Sequence, residues 1–472
     1  MKLIVSIAPR SMKEARSILK AQAGSRDLVE IRIDRMKNPD MEKLLRSPRP
    51  HVIITNRHRA EGGWFRGSAE EQVRILSSAL ASGAEYVDIE LRWGIRQIKR
   101  LLSAGRASRV IVSHHDTKKT PPDLRSILKR LCATPARNLK LVTSANDISD
   151  NKKIFDLLRG ARNRGRRISA FCMYERGQVS RILGGKYGSA YSYASSGISE
   201  STAPGQLSAA DLREIFRVEN INRNTRVFGL VGNPVSQSQG FRHHNEFFSR
   251  NSLNAVYVTF LVDDLRRFFK AFRDEISGLS ITMPFKRDII PFIDHVEEDA
   301  LILQSVNTVV ARRGALSGCN TDYLALRKLL RTRTKPRGKR AIVLGTGGTS
   351  SSMAFAARNA GARTTIVGRS IERARALASR LDCSWASFED LPDLAADILM
   401  NGTPVGMSPR SNESPVPRRF LRRGMTVLDA VHYPPMTLLL RNAKAAGCNI
   451  ISGSELFTEQ ARLQSKLFLE VC

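Results

Sequence analysis

Disulfide bonds, metal sites and long hydrophobic runs all lack support in this chain of 472 residues. The six cysteines are scattered, at positions 132, 172, 319, 383, 448 and 472. They form no CxxC pair and have no histidine at ligand spacing, so neither a disulfide framework nor a metal site is indicated. No segment reaches the roughly 18 consecutive apolar residues of a transmembrane helix, and the apolar run in MKLIVSIAPR is too short for a signal peptide. We therefore expect a cytoplasmic protein.

Acidic residues are scarce relative to basic ones. The chain has 44 Asp and Glu against 76 Lys and Arg, which gives a net charge of +32. Such an excess is typical of proteins that bind nucleic acid, and this stays open as the alternative from another class. The basic residues, however, are spread along the whole chain, and no nucleic-acid module motif is present. A basic host proteome or a preference for anionic metabolites explains the charge equally well.

The first part of the chain alternates between two kinds of segment. Short apolar runs recur roughly every 20 to 30 residues up to about residue 194, each followed by an amphipathic stretch, as in a parallel sheet of βα units. The runs are LIVSIA, LVEIRID, HVIITNR, YVDIEL, RVIVSHHD, NLKLVTS, RISAFCM and YGSAYSYA. Eight strands in about 200 residues predict a (β/α)8 barrel over residues 1–218, with catalytic residues at the carboxyl ends of the strands.

Lys140 interrupts the apolar run NLKLVTS. Lysine is almost never fully buried unless its ammonium group is paired. Two interpretations are open: the side chain snorkels from a strand edge, or it is a desolvated amine that serves as a nucleophile. A closed barrel favours the second, because an interior lysine has no nearby water. A Schiff-base lysine also needs neighbouring cations and a base, and Arg181, His115 and Glu61 are the candidates, although each could be structural.

The remainder of the chain contains a second alternating pattern. A loop at 194–206 leads to a helix that we expect to begin at Ser208, and residues 218–225 are a predicted linker. The segment VFGLVGNP opens an α/β lobe over 226–330, and a dense basic loop follows it at 331–340.

A Rossmann unit is predicted after the basic loop. The segment from Ala341 to Ser370 has the order strand, glycine turn, helix and strand that this unit requires. We expect the unit to span 338–435, and the helices of 436–472 to pack back on the preceding lobe.

A cofactor site is predicted at the turn GTGG, where backbone amides can approach a pyrophosphate at a helix N-terminus. The next strand ends in Arg369, with Arg373 a turn later, where an NAD site would carry an acidic residue. Two cations favour a 2′-phosphate and hence NADP, the alternative being an exposed arginine at a helix start. The predicted cofactor-binding residues are Gly345, Gly347, Gly348, Arg369, Arg373, Asn401 and Thr403.

A second catalytic pair is suggested by Lys286, after a turn that contains proline, and Asp322 in GCNTDY. Together they could pass a proton to and from a substrate oxygen while hydride moves. By sequence alone such pairs are usually surface ion pairs.

Six motifs of the barrel region carry a resemblance to a known family. They are EIRID (30–34), TNRHRAEGG (55–63), SHHDTKKTP (113–121), NLKLVTS (138–144), SRILGGKYGSA (180–190) and TAPGQ (202–206). In order and spacing they resemble the type I dehydroquinate dehydratases of the shikimate pathway.

This resemblance implies that Lys140 forms an imine with the substrate ketone, that His115 removes the α proton, and that water then leaves. The protonated imine takes up the charge that develops in the enamine. Glu61 is implied to orient His115. The implied substrate contacts are Glu30, Arg32 and Arg57 for the hydroxyls, Arg181 and Gln206 for the carboxylate, and Thr202 where many relatives have Ser.

Nine motifs of residues 226–472 resemble shikimate dehydrogenase. They are GNPVSQS, ITMPFK, SVNT, NTD, GTGG, GRS, NGTPVGM, DAVHYPPMT and GSELFTEQ. The resemblance implies NADPH-dependent reduction of 3-dehydroshikimate, with Lys286 and Asp322 as the catalytic pair. The implied substrate contacts are Ser236, Ser238, Thr282, Asn307 and Gln460. The fold class predicted for the whole chain is a (β/α)8 barrel followed by a two-lobed α/β dehydrogenase with a Rossmann NADP-binding lobe, as in fused enzymes of plants and some bacteria.

Two positions depart from the dehydrogenase pattern. The family usually has two serines in an SxS pattern, but here Gly240 follows Ser238 by two residues, and His432 stands where relatives often have Tyr. The missing hydroxyl could be offset by Ser236, by Gln237 or Gln239, or by the basic surroundings. Because both positions are implied to face the substrate, a related acid such as quinate is the alternative substrate.

Overall fold

The computed structural model of the protein describes residues 1–46, 48–104, 107–161, 165–197, 202–236 and 238–472. The chain divides into two compact units, Met1–Ile276 and Ser277–Cys472. The division falls inside the lobe expected over 226–330, so the first part of that lobe packs with the barrel in one unit.

Eight parallel strands form the core of the first unit. They are β1 Lys2–Ile7, β2 Leu28–Arg32, β3 Val52–Thr55, β4 Tyr86–Glu90, β5 Val110–His115, β6 Asn138–Ser144, β7 Arg167–Met173 and β8 Tyr191–Ser195. Each strand pairs with its sequence neighbour from β1 to β7, and β8 pairs with β1. Ala190 N donates to Ile168 O over 2.8 Å where β8 approaches β7. The sheet is therefore a nearly closed barrel, and the predicted (β/α)8 fold is confirmed.

Seven helices follow the first seven strands in turn. They are α1 Met12–Ala21, α2 Met41–Leu45, α3 Ala69–Ala81, α4 Gly94–Ala104, α5 Leu124–Cys132, α6 Asp150–Ala161 and α7 Gln178–Tyr187. Side chains cap several of them: Ser11, Ser68 and Asp123 each accept the amide three residues further on. The caps fix the chain direction at the loops that leave the strand ends.

Two local expectations of the barrel differ from the structure. The eighth run was expected to start at Tyr187, but Tyr187 ends α7, because Gly188 at φ +104° terminates the helix and β8 begins at Tyr191. Ser208 accepts the amide of Asp211 over 2.9 Å as a cap should, yet the turn Asp211–Ile215 that follows is π-helical.

The first unit ends with one further βαβα segment. Strand β9 Arg226–Gly232 and strand β10 Ala255–Leu261 pair in parallel, and α8 Gly240–Arg250 connects them. Helix α9 Leu265–Phe272 follows. The carboxyl ends of β9 and β10 consequently lie side by side.

The second unit begins with a small mixed sheet. Its elements are β11 Gly278–Ile281, β12 His295–Val296, α10 Glu298–Leu303, β13 Thr308–Arg312, β14 Ala315–Cys319 and α11 Thr321–Arg333. Strand β13 is antiparallel to both β11 and β14, and β12 is parallel to β14. Helix α11 includes Arg331 and Arg333, so the expected basic loop is shorter than 331–340.

A six-stranded parallel sheet completes the second unit. Its elements are β15 Arg340–Leu344, α12 Gly348–Asn359, β16 Arg363–Gly368, α13 Ile371–Leu381, β17 Ser384–Ser387, β18 Ile398–Asn401, β19 Thr426–Asp429, α14 Leu438–Ala445, β20 Asn449–Ile451 and α15 Gly453–Leu469. The strand order is β17-β16-β15-β18-β19-β20. Ala341 and Val343 pack into the apolar core on one face, and Ile342 and Leu344 into the core on the other. This is the predicted Rossmann arrangement.

The C-terminal segment differs in part from the expectation for 436–472. Helix α15 packs on α11 and β13, as predicted for the preceding lobe, whereas α14 covers β19 and β20 and β20 extends the Rossmann sheet. The reason is that the apolar side chains of Leu439, Leu440 and Ala443 in α14 are buried in the core of that sheet.

Three further findings concern the whole chain. All six cysteines are free thiols. Within the described ranges, no cluster of His, Cys, Asp and Glu could hold a metal ion. None of the helices in those ranges combines the length and the apolar content that a bilayer span requires.

Candidate active sites

A cavity opens at the carboxyl ends of the barrel strands and has a volume of about 800 Å³, including space open to solvent. All nine residues expected to act in the barrel line it. They are Glu30, Arg32, Arg57, Glu61, His115, Lys140, Arg181, Thr202 and Gln206. The structure therefore brings together side chains from strands β2, β5 and β6, from helix α7, from the segment after β3 and from the loop at 202–206. Glu30 and Gln206, which are 176 positions apart in the sequence, line the same cavity.

Lys140 points into this cavity from the middle of β6, and the residue is only 4% exposed. Its Nζ atom lies 3.0 Å from Glu30 Oε1 and 3.5 Å from Asp88 Oδ2. The same atom lies 3.8 Å from the centre of the Tyr193 ring. Burial excludes the snorkelling interpretation, and the nearest charged groups are carboxylates rather than the cations expected from the sequence.

Glu30 is held as an ionised carboxylate beside Lys140. Its Oε2 atom accepts from Ser6 Oγ over 2.6 Å, and its Oε1 atom accepts from Thr55 Oγ1 over 3.0 Å. Burial would raise the pKa of this carboxyl, but the charges of Lys140 and Arg32 and the bond from Ser6 outweigh it and lower the pKa to about 2. Glu30 therefore supplies a fixed negative charge at the cavity floor.

His115 is bonded to Glu61, and its side chain is 10% exposed. Its Nδ1 atom lies 3.0 Å from Glu61 Oε2, which also accepts from the backbone amide of His115 over 2.9 Å. Burial, together with the charges of Arg57 and Lys140, holds the pKa of His115 well below its ordinary value. Burial also raises the pKa of Glu61 to about 8, against the opposing pull of Arg57. The imidazole is neutral at pH 7, and in the tautomer in which Nδ1 donates to Glu61 Oε2, Nε2 is the nitrogen that accepts a proton.

Two acidic residues that we did not select from the sequence complete this network. Asp88 Oδ1 accepts from Ser113 Oγ over 2.6 Å and lies 3.0 Å from Arg57 Nη2, and Glu90 Oε1 lies 3.4 Å from Arg57 Nη1. Burial acts to lower the pKa of Arg57, but these carboxylates outweigh it and keep the pKa above its ordinary value. A signal existed, because Asp88 and Glu90 interrupt the apolar run YVDIEL as Lys140 interrupts NLKLVTS.

Arg181 presents unsatisfied donors to the cavity. The residue is 1% exposed, its Nη1 atom donates to Tyr193 O over 3.1 Å, and its Nε and Nη2 atoms have no hydrogen-bond partner among the described residues. Burial lowers the pKa of its guanidinium to about 10, so it remains charged at pH 7. A buried cation with two unused N–H donors matches a carboxylate or another planar anion.

The loop that carries Thr202 and Gln206 covers the same end of the cavity. Gln206 Oε1 accepts from the amide of Thr202 over 3.2 Å and from its hydroxyl over 3.0 Å. Arg32, by contrast, is turned toward Asp34, to which its Nε and Nη2 atoms each donate over 2.8 Å. Arg32 lines the cavity in this paired state.

In the second unit, the side chains of Lys286 and Asp322 are in contact. Lys286 Nζ lies 2.5 Å from Asp322 Oδ2, and the two side chains are 27% and 19% exposed. Lys286 follows β11, and Asp322 lies in the first turn of α11, which Asn320 caps. Lys286 also lines a recess together with Gly347 and Gly348 of the glycine turn. The pair is thus close to the predicted cofactor site.

Asn307 lies at the start of β13 and is 2% exposed. Its Oδ1 atom accepts from Thr321 N over 2.7 Å and from Thr308 Oγ1 over 2.9 Å. Its Nδ2 atom has no partner in the part of the chain that the structure describes. Gln464 of α15, which we did not predict, donates to Asn307 O over 3.2 Å and accepts from Ser280 Oγ over 2.9 Å. Asn307 is therefore fixed with one donor left for a ligand.

The other expected substrate contacts are placed as follows. Thr282 and Gln460 are half-buried, on the segment after β11 and on α15. Ser236 is exposed, and Ser238 is half-buried with its Oγ accepting from Gly240 N over 3.2 Å. Gln237 lies outside the described residues, while His432 is exposed with its ring 5.0 Å from that of Phe457.

The glycine turn after β15 forms one side of a groove. Gly345 has φ +104°, and a Cβ there would lie 2.7 Å from Ser350 Oγ, so only glycine fits. Gly347 caps α12, and a Cβ at Gly347 or Gly348 would meet only open space. Exposed α12 amides beside this turn can receive a phosphate group.

The other side of the groove carries the predicted cations. Arg369, Arg373 and Thr403 line it with Gly345 and Gly347, and so does Arg410, which we did not select. Asn401 is fully buried instead: its Oδ1 accepts from the hydroxyl of Thr403 over 2.6 Å and its Nδ2 donates to Asp429 over 2.9 Å. Asn401 therefore supports the groove wall rather than forming its surface.

Two family models match the chain in succession. The model of type I 3-dehydroquinase matches residues 3–223, and that of the shikimate dehydrogenase substrate binding domain matches residues 230–309. A protein of Arabidopsis thaliana named bifunctional 3-dehydroquinate dehydratase/shikimate dehydrogenase, chloroplastic, is 34% identical over 95% of this chain and 78% of its own length.

Other relatives match the second half alone. A shikimate dehydrogenase (NADP(+)) of Pyrococcus abyssi is 38% identical over 52% of this chain and 92% of its own length. The crystal structure of shikimate 5-dehydrogenase from Listeria monocytogenes, in complex with shikimate and NAD, is 28% identical, with a TM-score of 0.50 over 52% of this chain and 92% of that chain.

The barrel with its buried lysine and the α/β half with its glycine turn define a class, the fusion of a barrel lyase with an α/β oxidoreductase. Within that class, the chain belongs to the family of bifunctional 3-dehydroquinate dehydratase/shikimate dehydrogenases. The family expected from the motifs is confirmed.

Proposed function

We propose that the barrel dehydrates 3-dehydroquinate and that the second half reduces the product, 3-dehydroshikimate, to shikimate with NADPH. One observation carries the proposal most directly: a buried lysine, a neutral histidine whose side chain is 10% exposed and a buried arginine with unused donors line one cavity. These groups match a ketone, an acidic α carbon and a carboxylate, which are the reactive parts of this substrate.

The first reaction starts at Lys140. Its amine, after loss of a proton, attacks the ketone carbon, and the ketone oxygen leaves as water to give a protonated imine whose cationic nitrogen Glu30 and Asp88 stabilise. His115 accepts the α proton at Nε2, because Glu61 bonds Nδ1. The electron pair moves into the enamine and expels the β hydroxyl, which leaves as water with a proton that His115 returns. Hydrolysis of the imine then releases the product.

Substrate position depends on groups at the cavity wall. We assign the carboxylate to Arg181, with Gln206 and Thr202 on the loop above it, and the hydroxyls to Glu30, Arg32 and Arg57. The burial of Arg181 favours this assignment, because a desolvated guanidinium gains more from an anion than an exposed one does.

The second reaction uses Lys286 and Asp322. Their contact lets the pair give a proton to the carbonyl oxygen as it becomes a hydroxyl, and Asn307 offers its Nδ2 donor to the same substrate. Ser236, Ser238, Thr282 and Gln460 are the further proposed contacts.

NADP fits the groove of the Rossmann half. Gly345, Gly347 and Gly348 would admit its pyrophosphate, and Arg369 and Arg373 would bind its 2′-phosphate. Thr403, which Asn401 supports, would form the remaining wall of the groove. When bound, the cofactor supplies the hydride for the carbonyl carbon. We divide the chain into four segments, 1–218, 226–330, 338–435 and 436–472. We place the protein in the cytoplasm. Its proposed partners are small molecules, and they include neither nucleic acid nor membrane.

An assay of each half reaction tests this function. Protein given 3-dehydroquinate should form 3-dehydroshikimate, and protein given shikimate and NADP should form NADPH. A faster reaction with quinate than with shikimate would replace the second assignment, and Gly240 is the reason to compare them. Tight binding of random DNA that weakens steeply with salt would support the nucleic-acid alternative.

A further inference from the structure

The Asp263 carboxylate receives hydrogen bonds from two segments that are distant in the sequence. Arg176 Nε donates to Oδ2 over 2.7 Å, and Arg176 Nη2 donates to Oδ1 over 2.8 Å. Asn233 Nδ2 donates to the same Oδ1 atom over 3.0 Å. One carboxylate oxygen is therefore shared by an arginine of the barrel and by Asn233.

Strand pairing explains why Asp263 and Asn233 meet. Asn233 directly follows β9 and Asp263 follows β10 by two residues, and the two strands are paired in parallel with Gly232 opposite Leu261. The amide of Val262 extends this pairing by donating to Gly232 O over 3.1 Å. Both side chains thus leave the same edge of the sheet.

The barrel holds Arg176 in place through its backbone. Arg176 lies in the turn Glu175–Gly177 that follows β7, next to Tyr174, which lines the dehydratase cavity. Asn151 of α6 is fully buried and donates to Arg176 O over 2.8 Å. The amide of Tyr174 donates to Pro204 O over 3.0 Å. The arginine is consequently presented from a fixed turn.

The loop on the other side of the bridge carries proposed substrate contacts. Asn233 begins the segment that contains Ser236 and Ser238 and ends at α8. Val235 is buried and anchors the segment, but Asn233 is exposed, so packing gives the start of the segment little support. A bond from the Asn233 side chain therefore helps to set where the segment starts.

We propose that Asp263 is a positioning residue for this substrate loop and that Arg176 of the barrel holds Asp263 in the required orientation. The barrel thereby improves the affinity of the dehydrogenase for its carboxylate substrate. The proposal rests on the dehydrogenase function proposed above. The Arg176 and Asp263 side chains are 31% and 41% exposed, so solvent screens the pair and the effect on affinity is modest.

The test measures shikimate oxidation by the full chain with NADP. Arg176→Ala should raise KM for shikimate about twofold to fivefold with little change in kcat, and Arg176→Lys should recover part of the loss. Asp263→Ala should raise KM at least as much, because it also removes the bond to Asn233. Since Arg176 acts through Asp263, the double variant should match Asp263→Ala alone.

Arg159→Ala is the matched control. Arg159 of α6 pairs with Glu275, also within the first unit, and among the described residues neither side chain bonds to the loop. The KM of the Arg159→Ala variant for shikimate should stay at the wild-type value. A wild-type KM for Arg176→Ala, an equal rise for Arg159→Ala, or additive effects in the double variant would each overturn the positioning role. A wild-type protein that does not oxidise shikimate would instead overturn the proposed function on which the role depends.

Discussion

Lys140 and Lys286 each lie beside a carboxylate, but their surroundings differ. The Lys140 side chain is 5% exposed and is enclosed by Glu30, Asp88 and an aromatic ring, whereas the Lys286 side chain is 27% exposed and pairs with Asp322. The first lysine is proposed to form a covalent bond, for which it must be free of water. The second is proposed to move a proton only, and it can do so from a more open position.

The two sites also differ in how complete they are without ligands. The barrel network joins its charged groups across neighbouring strands of one nearly closed sheet, so its hydrogen bonds are formed before substrate arrives. The second unit offers single donors instead, such as Asn307 Nδ2, and a groove with three exposed arginines. We therefore expect substitutions in the barrel to act on catalysis and those in the groove to act on binding.

The largest effect should come from Lys140→Ala. Loss of the nucleophile should lower dehydratase kcat by about four orders of magnitude or more, while dehydrogenase activity persists. Borohydride added with 3-dehydroquinate should attach the reduced ligand to the peptide that contains Lys140 in the wild type. Label on another lysine, or an active enzyme without label, would rule out the imine at this position.

Lys286→Ala should produce the reverse separation. Removal of the proton donor should lower dehydrogenase kcat by about a hundredfold to ten-thousandfold and leave dehydration unchanged. Asp322→Asn tests the same pair with its shape retained. The exposed pair Arg340 and Asp397 of the same unit provides the control, and Arg340→Ala should keep full activity. Retained reduction in Lys286→Ala would show that the pair is structural.

Arg369→Ala should act on cofactor choice. Loss of a charge-assisted bond should raise KM for NADPH about tenfold or more and leave KM for NADH nearly unchanged. Arg375→Ala is the matched control, because Arg375 lies on α13, which begins two residues after Arg369, but its guanidinium lies over the ring of Trp385. Equal changes for both cofactors would indicate that Arg369 does not contact the 2′-phosphate.

The pH dependence of dehydration should reflect the lowered pKa of His115. A histidine with the ordinary pKa of about 6.5 would be about nine-tenths protonated one pH unit below that value. Because only the neutral form accepts a proton, activity there would be about tenfold lower. Because burial and the nearby cations hold the His115 pKa well below 6.5, the neutral base persists and kcat/KM should fall only at lower pH. An acid limb at or above pH 6.5 would contradict the neutral imidazole, and His114→Asn should leave the limb in place.

The smallest effect is expected for Gly240→Ser. A Cβ at this position would lie 3.4 Å from Ser238 Oγ and 3.6 Å from Tyr257 Oη, so a serine fits without displacing backbone. The added hydroxyl should lower KM for shikimate about threefold with little change in kcat, since the carboxylate is held alike in ground and transition states. Gly240→Ala serves as the control without a hydroxyl. A raised or unchanged KM would remove Ser238 from the carboxylate site.

Sequence patterns predicted the barrel well, because polar residues stand out within apolar strands. Lys140, His115 and Arg181 were candidates from the sequence itself, and the family motifs added Thr202 and Gln206. Asp88 and Glu90 carried the same signal but were missed, because which charged strand residues meet depends on register across the closed sheet. The Rossmann turn was also predicted, since Gly345 has a backbone requirement that sequence shows directly.

Other features could not be predicted because they depend on packing between distant segments. Gln464 supports Asn307 from a helix 157 positions away. Asn401 was expected at the cofactor surface, but its side chain is buried and donates to Asp429. The bridge at Asp263 likewise joins residues 87 positions apart, and no local motif marks it.

The most direct test of the central claim is a single coupled assay. Purified protein receives 3-dehydroquinate and NADPH, and the loss of cofactor absorbance is followed with the wild type and with Lys140→Ala. The account predicts that the wild type consumes NADPH from 3-dehydroquinate, and that Lys140→Ala does so only when 3-dehydroshikimate is supplied. Equal consumption of NADPH by both proteins from 3-dehydroquinate, or none by the wild type, would contradict it.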